Sequence, residues 1–189
     1  MILAAGDLVE TLSGAPEEAA PLLLGCELVS TVGGETVRMR MTEVEAYKGP
    51  DDPASHAYRG RTARNDSMFR RPGTLYVYRS YGIHHCANTA AGPPGTGWGI
   101  LIRGGEVVEG EATVRRRRGR TSQLSDGPGK VCQALGIEMA HNGLYLLDPY
   151  SEIRLEPGLP PPVVIATPRV GISKAQERAW RFLAAAAAG

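Results

Sequence analysis

Two runs of residues, 26–32 and 35–47, meet across Gly33-Gly34. A glycine pair between alternating runs is a strong hairpin signal, because glycine readily takes the positive φ that tight hairpin turns demand. In the second run Val37, Met39 and Met41 alternate with Arg38, Arg40 and Thr42, as in a strand with one face on a core. Unless a bulge intervenes, the same alternation sets Glu43, Glu45 and Tyr47 on the core side. Carboxylates in line with a core face need a reason.

The rest of the chain is punctuated by 24 glycines and 14 prolines, which favours turns and irregular connections over a helix bundle. The pattern predicts a short helix over 16–24, stopped by Gly25. Residues 48–73 form a long Gly/Pro-rich loop, and a loop of that length in a compact domain is usually functional or disordered. A strand follows over 74–88, with a break at Gly82 and with Tyr76 and Tyr78 on one face. After a turn at Gly92-Pro93-Pro94-Gly95, the pattern gives a strand over 98–103 and a helix over 107–118 ending in four arginines. A further helix spans 131–135, strands span 144–147, 151–155 and 163–170, and a closing helix spans 173–182. Residues 184–188 read as a frayed helix end.

With 189 residues the chain is most simply one domain, 1–189. The formal net charge of +1 hides a polarised distribution. Residues 1–52 hold three basic and ten acidic residues, whereas residues 53–130 hold thirteen basic and five acidic. Clustered positive charge attracts a phosphate backbone. Arginine outnumbers lysine eighteen to three, which fits bidentate phosphate contacts and equally a GC-rich genome. Cys26, Cys86 and Cys132 form no Cys-x-x-Cys pair, so neither a zinc ribbon nor a disulfide framework is supported, and a reduced cytoplasmic setting is expected. The N-terminal stretch does not read as a signal peptide, and no apolar run approaches the roughly 20 residues that span a bilayer.

The chemistry concentrates in residues 42–90. There T-E-V-E-A-Y-K-G-P-D-D-P-A-S-H is followed by R-N-D-S-M-F and P-G-T-L-Y-V-Y-R-S-Y-G-I-H-H-C-A-N. Further on come L-I-R at 101–103, G-P-G-K-V-C-Q-A-L-G-I at 127–137 and P-R-V-G-I at 168–172. These segments, in this order, closely resemble the alkyladenine (3-methyladenine) DNA glycosylases over about four-fifths of the chain. The resemblance implies an α+β, β-rich fold: one domain on a curved antiparallel, partly barrel-like sheet with peripheral helices. It also implies a monofunctional enzyme of base excision repair that acts on double-stranded DNA carrying damaged purines. No cofactor, metal or membrane is implied, and a monomer is expected.

By the same resemblance Glu45 is the base that activates a water, with Arg103 and the Val170 carbonyl beside that water. Residues alone leave Glu45 open to a structural reading, as a carboxylate paired with Arg38, Arg40 or Arg103; Glu43 is its confusable neighbour. Tyr47, His56 and Tyr78 would form the base pocket, where aromatic faces stack on a flipped purine. Asn88 would crowd the guanine 2-amino group, and Tyr81 would wedge into the duplex. Lys130, at a helix start behind Gly127-Pro128-Gly129, would meet a phosphate, and Arg64 and Arg70 would line the DNA groove with other arginines of the loop. The run Arg115–Arg118 matches no motif and reads as a solvated helix face. The loop from His56 to Asn65 is one residue shorter than in the vertebrate relatives, and His84-His85 replace bulkier aromatics, which leaves substrate range open. A catalytically inactive nucleic-acid-binding module is the alternative of another class; intact Glu45, Tyr47 and Arg103 argue against it.

Overall fold

The structure is a computed structural model and describes residues 5–186. Helices α1 (Ala5–Ser13) and α2 (Pro16–Leu22) precede the hairpin of β1 (Glu27–Ser30) and β2 (Val37–Tyr47). Next come β3 (Leu75–Ser80), β4 (His84–Ala91) and β5 (Trp98–Glu109), then α3 (Glu111–Arg118) and α4 (Pro128–Leu135). Strands β6 (Ile153–Glu156), β7 (Val163–Thr167) and β8 (Arg181–Ala185) complete the order. All strand pairs are antiparallel, in the path β3-β4-β5-β2-β1-β6, and β8 joins β7 to β2. The sheet curls into a half-barrel, the β-rich α+β architecture expected. No helix among the described residues is long and apolar enough to cross a membrane.

The core lies under one face of this sheet. Leu8 and Leu12 of α1, with Leu23 and Leu24 after α2, are fully buried in one cluster with Met39, Met41, Val44, Ile100 and Ile102. Each such side chain contributes about 1.5–3 kcal/mol relative to exposure. Helix α4 adds Val131, Cys132 and Leu135 to the same cluster, and so is fastened against the sheet.

The expected alternation in β2 holds only as far as Met41. The pairing of β2 with β5 shifts register on both sides of Glu43, a bulge that reverses the parity of the strand. Val44 and Ala46 now take the core face, and Glu43, Glu45 and Tyr47 turn to the other one. Opposite the bulge stand Gly105 and Gly104. A Cβ on Gly105 would lie 2.6 Å from the Met39 side chain and 2.7 Å from the Arg40 carbonyl, so the close approach of the strands demands glycine there. The bulge also marks where β2 exchanges one neighbour, β1, for another, β8.

Other expectations need correction. Helix α1 was not foreseen. Residues 107–109 continue β5 through its glycine pair instead of starting the helix that follows, and 144–147 contribute a single bridge between Tyr145 and Thr74. Residues 173–180 are an irregular loop instead of a helix, followed by β8. Local helical preference gives way there to the bonds of Arg169 and Arg178 to Asp52 and the Asp51 carbonyl and to the β7–β8 ladder. Of the tail read as a frayed helix end, Ala184 and Ala185 lie in β8, whereas residues 187 and 188 fall outside the described residues.

Candidate active site

With its parity reversed by the bulge, the C-terminal half of β2 delivers Glu45 to a crossing of three elements. Its Oε2 accepts a 2.8 Å hydrogen bond from the Tyr47 hydroxyl, two residues along the same strand face. Its Oε1 accepts the Val170 amide at 2.8 Å, from the loop between β7 and β8. Arg103 of β5 reaches both oxygens at 3.5 Å. The carboxylate is fully buried, yet its three partners Tyr47, Arg103 and Val170 all line one cavity of about 530 Å³. Val170 thus meets Glu45 through its amide, a contact separate from the carbonyl that the resemblance sets beside the water.

Arg103 divides its charge. Its Nε lies 2.8 Å from Glu43, and Arg181 of β8 donates to the same Glu43 oxygen at 2.6 Å. Burial alone would raise the Glu43 pKa, but the bonds from Arg181 and Arg103 outweigh it and hold the carboxyl below the usual range. Glu43 therefore stays ionised and takes the tighter half of Arg103. Tyr47 has the opposite fate. Burial and the Glu45 charge push its phenol far above the ordinary value, so it remains a donor to Glu45 at any working pH.

The cavity wall is aromatic. His56 is open to the cavity, with its ring edge-on to Tyr78 at 4.4 Å and Nδ1 3.1 Å from the Tyr76 hydroxyl. The Tyr76 and Tyr78 rings stack at 5.7 Å with an interplanar angle of 26°. Desolvation, reinforced by the nearby Arg64 guanidinium, lowers the His56 pKa and favours a neutral ring. Asn88 sits across the β3–β4 ladder from Tyr76; its side chain donates to the Tyr76 carbonyl at 3.3 Å and faces the same cavity. A flat, electron-poor ring fits such a wall through stacking and cation–π attraction.

Tyr81 stands on the rim at the tip of the β3–β4 hairpin, 93% exposed and at φ +51°, with Gly82 beside it at φ +71°. Arg64 lies in the wall; Arg79, Ser173 and Lys174 join the lining. Two other expected phosphate contacts lie outside the lining of this cavity. Lys130 lies outside the cavity lining and pairs with Asp126 at 2.9 Å beside the start of α4, whose Pro128 does line it. Arg70 shares Asp66 with Arg61 and does not line the cavity. The arginine run of α3 is only partly a solvated face. Arg115 and Arg116 pair with Glu111 and Glu35, but Arg117 donates to the carbonyls of Val32 at 2.6 Å and Ala134 at 3.0 Å.

Several site residues escaped the sequence reading. Tyr76 was recognised as sharing a strand face with Tyr78, but not as part of the pocket. Asp52 and Arg169 lie within the matched segments with no role that the motifs assign, yet they form a buried ion pair behind the site. Their pairing crosses more than a hundred residues, and no spacing could announce it. Among the described residues no group of three or more His, Cys, Asp or Glu is arranged to hold a metal ion.

Comparison with known proteins bears on this geometry. The family model described as methylpurine-DNA glycosylase matches residues 10–188. A Mycobacterium tuberculosis (strain H37Rv) protein named "Putative 3-methyladenine DNA glycosylase" is 47% identical over 181 residues, covering 92% of this chain and 87% of its own length. Proteins of the same name from Rhodococcus jostii (48% over 175 residues, 88% of this chain and 76% of theirs) and Corynebacterium glutamicum (47% over 169 residues, 88% and 78%) are similar.

Proposed function

The chain belongs to the methylpurine-DNA glycosylase family, and from that premise we propose that it hydrolyses the N-glycosidic bond of damaged purines flipped out of duplex DNA, with Glu45 as the base. The observation that carries this reading is the buried Glu45 carboxylate, fixed by three groups that line an aromatic cavity of about 530 Å³. An ionised carboxylate has about four acceptor sites, so its bonds to Tyr47 and Val170 leave lone pairs for a water. The water oxygen attacks the anomeric carbon as the bond to the base breaks. The bonding pair leaves with the base, and Glu45 takes the water proton. Positioned proton removal of this kind is worth about 10²–10⁴-fold in rate.

The positive charge that develops on the sugar is stabilised by Glu45, as by the carboxylates of glycosidases. Arg103, held mainly by Glu43, is near enough to orient the carboxylate without cancelling its charge. Tyr47, His56 and Tyr78 stack around the extruded base, Asn88 narrows the pocket, and Tyr81 fills the gap left in the duplex. Arg64 and Lys130 steady the flanking phosphates, and Arg70 reaches the backbone only if it leaves Asp66. In single-turnover assays on a duplex with one alkylated adenine, wild-type protein should release the base. Glu45→Gln should release it at least about a hundredfold more slowly while still binding the lesion. Damage-specific binding with no release by wild type would overturn the reading.

A further inference from the structure

The Val170 amide that donates to Glu45 comes from a loop, residues 168–180, with no ladder of its own. The preceding side chain accounts for its position. Arg169 is fully buried, pairs with both oxygens of Asp52, and donates to the Ala46 carbonyl at 2.9 Å. Its guanidinium carbon lies 4.6 Å from the Tyr47 ring centroid and 5.3 Å from that of Trp180. One side chain therefore touches the two residues that follow Glu45 and carries the third, Val170, that faces it. Arg169 itself does not line the cavity. Its Nε is buried without a hydrogen-bond partner among the described residues. A buried ion pair with an unsatisfied donor is a poor device for stability.

We propose that Arg169 is a positioning residue for base excision, clamped by Asp52 and the Ala46 carbonyl so that the Val170 amide and the Tyr47 hydroxyl are held on the Glu45 carboxylate. The inference rests on Glu45 acting as the base. It makes Arg169 and Asp52 opposing charges in the surroundings of that carboxylate. The other charged or titratable groups facing Glu45 are Tyr47 and Glu43 on its own strand, Arg103 on β5 and Tyr78 on β3, with Arg181 of β8 neutralising Glu43. None of these replaces the Arg169 cation behind Tyr47 and Val170: Arg181 is bonded to Glu43, and Arg103 is shared between Glu43 and Glu45.

The test is single-turnover release of an alkylated purine from duplex DNA across a range of pH, with wild type and Glu45→Gln alongside. Arg169→Gln is expected to release base at least about tenfold more slowly, with lesion affinity little changed, since small misplacements around a reacting centre act on the chemical step. It also leaves the Asp52 charge with only the more distant Arg178, at 3.9 Å, which moves the acid limb of the rate profile to higher pH. Asp52→Asn, with the Arg169 cation left unbalanced, moves that limb to lower pH. Arg169→Lys restores the charge but not the flat bidentate clamp, so the limb returns towards wild type while the rate stays low. The double variant Asp52→Asn/Arg169→Gln leaves no lone buried charge, should fold if the single variants do not, and should remain slow. Limb shifts in one common direction, or wild-type release by the double variant or by folded Arg169→Gln, would overturn the proposal. Undiminished release by Glu45→Gln would instead remove the catalytic reading, and this inference with it.

Discussion

Replacing Tyr81 by glycine should make the protein more stable and a worse enzyme. Tyr81 is 93% exposed, so folding buries almost none of its ring. Its backbone sits at φ +51°, in the left-handed region, which costs a side-chain-bearing residue about 1–2 kcal/mol. Glycine removes that strain but adds about 0.4–1 kcal/mol of chain entropy to the unfolded state. The net gain is roughly 0.8 kcal/mol, or about 2–3 °C in Tm for a chain of this size. A strained, exposed aromatic is weak as a structural device. It is reasonable as a wedge held ready for a stacked partner.

The loss on DNA should be larger than the gain in stability. A base stacked on an aromatic side chain is worth about 1–3 kcal/mol, so excision from duplex under kcat/KM conditions should fall about fivefold to 150-fold. The assay is base release by wild type, Tyr81→Gly and Tyr81→Ala from one lesion in duplex and in single-stranded DNA, beside thermal unfolding. Alanine keeps the strained φ, so it should lose activity without gaining stability. Single-stranded substrate has no paired stack to refill and should hardly distinguish the three proteins. Equal losses on both substrates, or wild-type excision from duplex by Tyr81→Gly, would refute the wedge. A fall in Tm for Tyr81→Gly would refute the strain argument.

Three further outcomes are expected. Tyr47→Phe keeps the ring in the pocket but removes a charge-assisted bond to Glu45, so lesion binding should hold while the acid limb of base release moves to higher pH; an unmoved limb would show that the hydroxyl does not act on Glu45. Asp52 and Glu43 are held below their ordinary values of 3.8 and 4.5, since bonds from Arg169, and from Arg181 and Arg103, outweigh burial. Their stabilisation is complete above those values and drains away as pH falls through the lower folded ones; denaturant midpoints should drop across that acid window, and a flat profile would contradict the pairing. A 3-methyladenine duplex should be processed faster than a hypoxanthine one, because a cationic base departs without protonation and neutral His56 is a poor acid; competition between the two duplexes reads this directly, and the reverse order would point to an acid elsewhere.

Much of the fold was legible wherever one periodicity ran unbroken. The Gly33-Gly34 hairpin, the apolar face of Val37, Met39 and Met41, and the break at Gly82 follow from local rules. What local rules missed was decided by a partner far along the chain. The bulge at Glu43 is set against Gly104-Gly105 on another strand, and it decides whether Glu45 faces the core or the cavity-lining Tyr47, Arg103 and Val170. Residues 173–180 carry a helical pattern, but Arg169 and Arg178 bind Asp52 and the Asp51 carbonyl and draw the segment into a loop across the site. The catalytic candidates were legible through motif resemblance. Their geometry was not, because Tyr47, Arg103 and Val170 come from three separate elements that meet at Glu45 beyond the bulge.

Thirteen basic residues in 53–130 suggested a broad field for phosphate, yet many of them have partners within the fold. Arg61 and Arg70 take Asp66, Arg103 takes Glu43, Arg115 and Arg116 take Glu111 and Glu35, and Arg117 fastens two backbone carbonyls. At the cavity the lining cations are Arg64, Arg79, Lys174 and Arg103. Exposed pairs such as Arg70–Asp66 are worth little and open readily to a phosphate, whereas Arg103 and Arg117, half-buried and bonded within the fold, do not. Attraction to DNA therefore rests on fewer groups than composition implies, and among the described residues Arg64, Arg79 and Lys174 line the cavity whose wall also holds the Glu45 partners Tyr47, Arg103 and Val170.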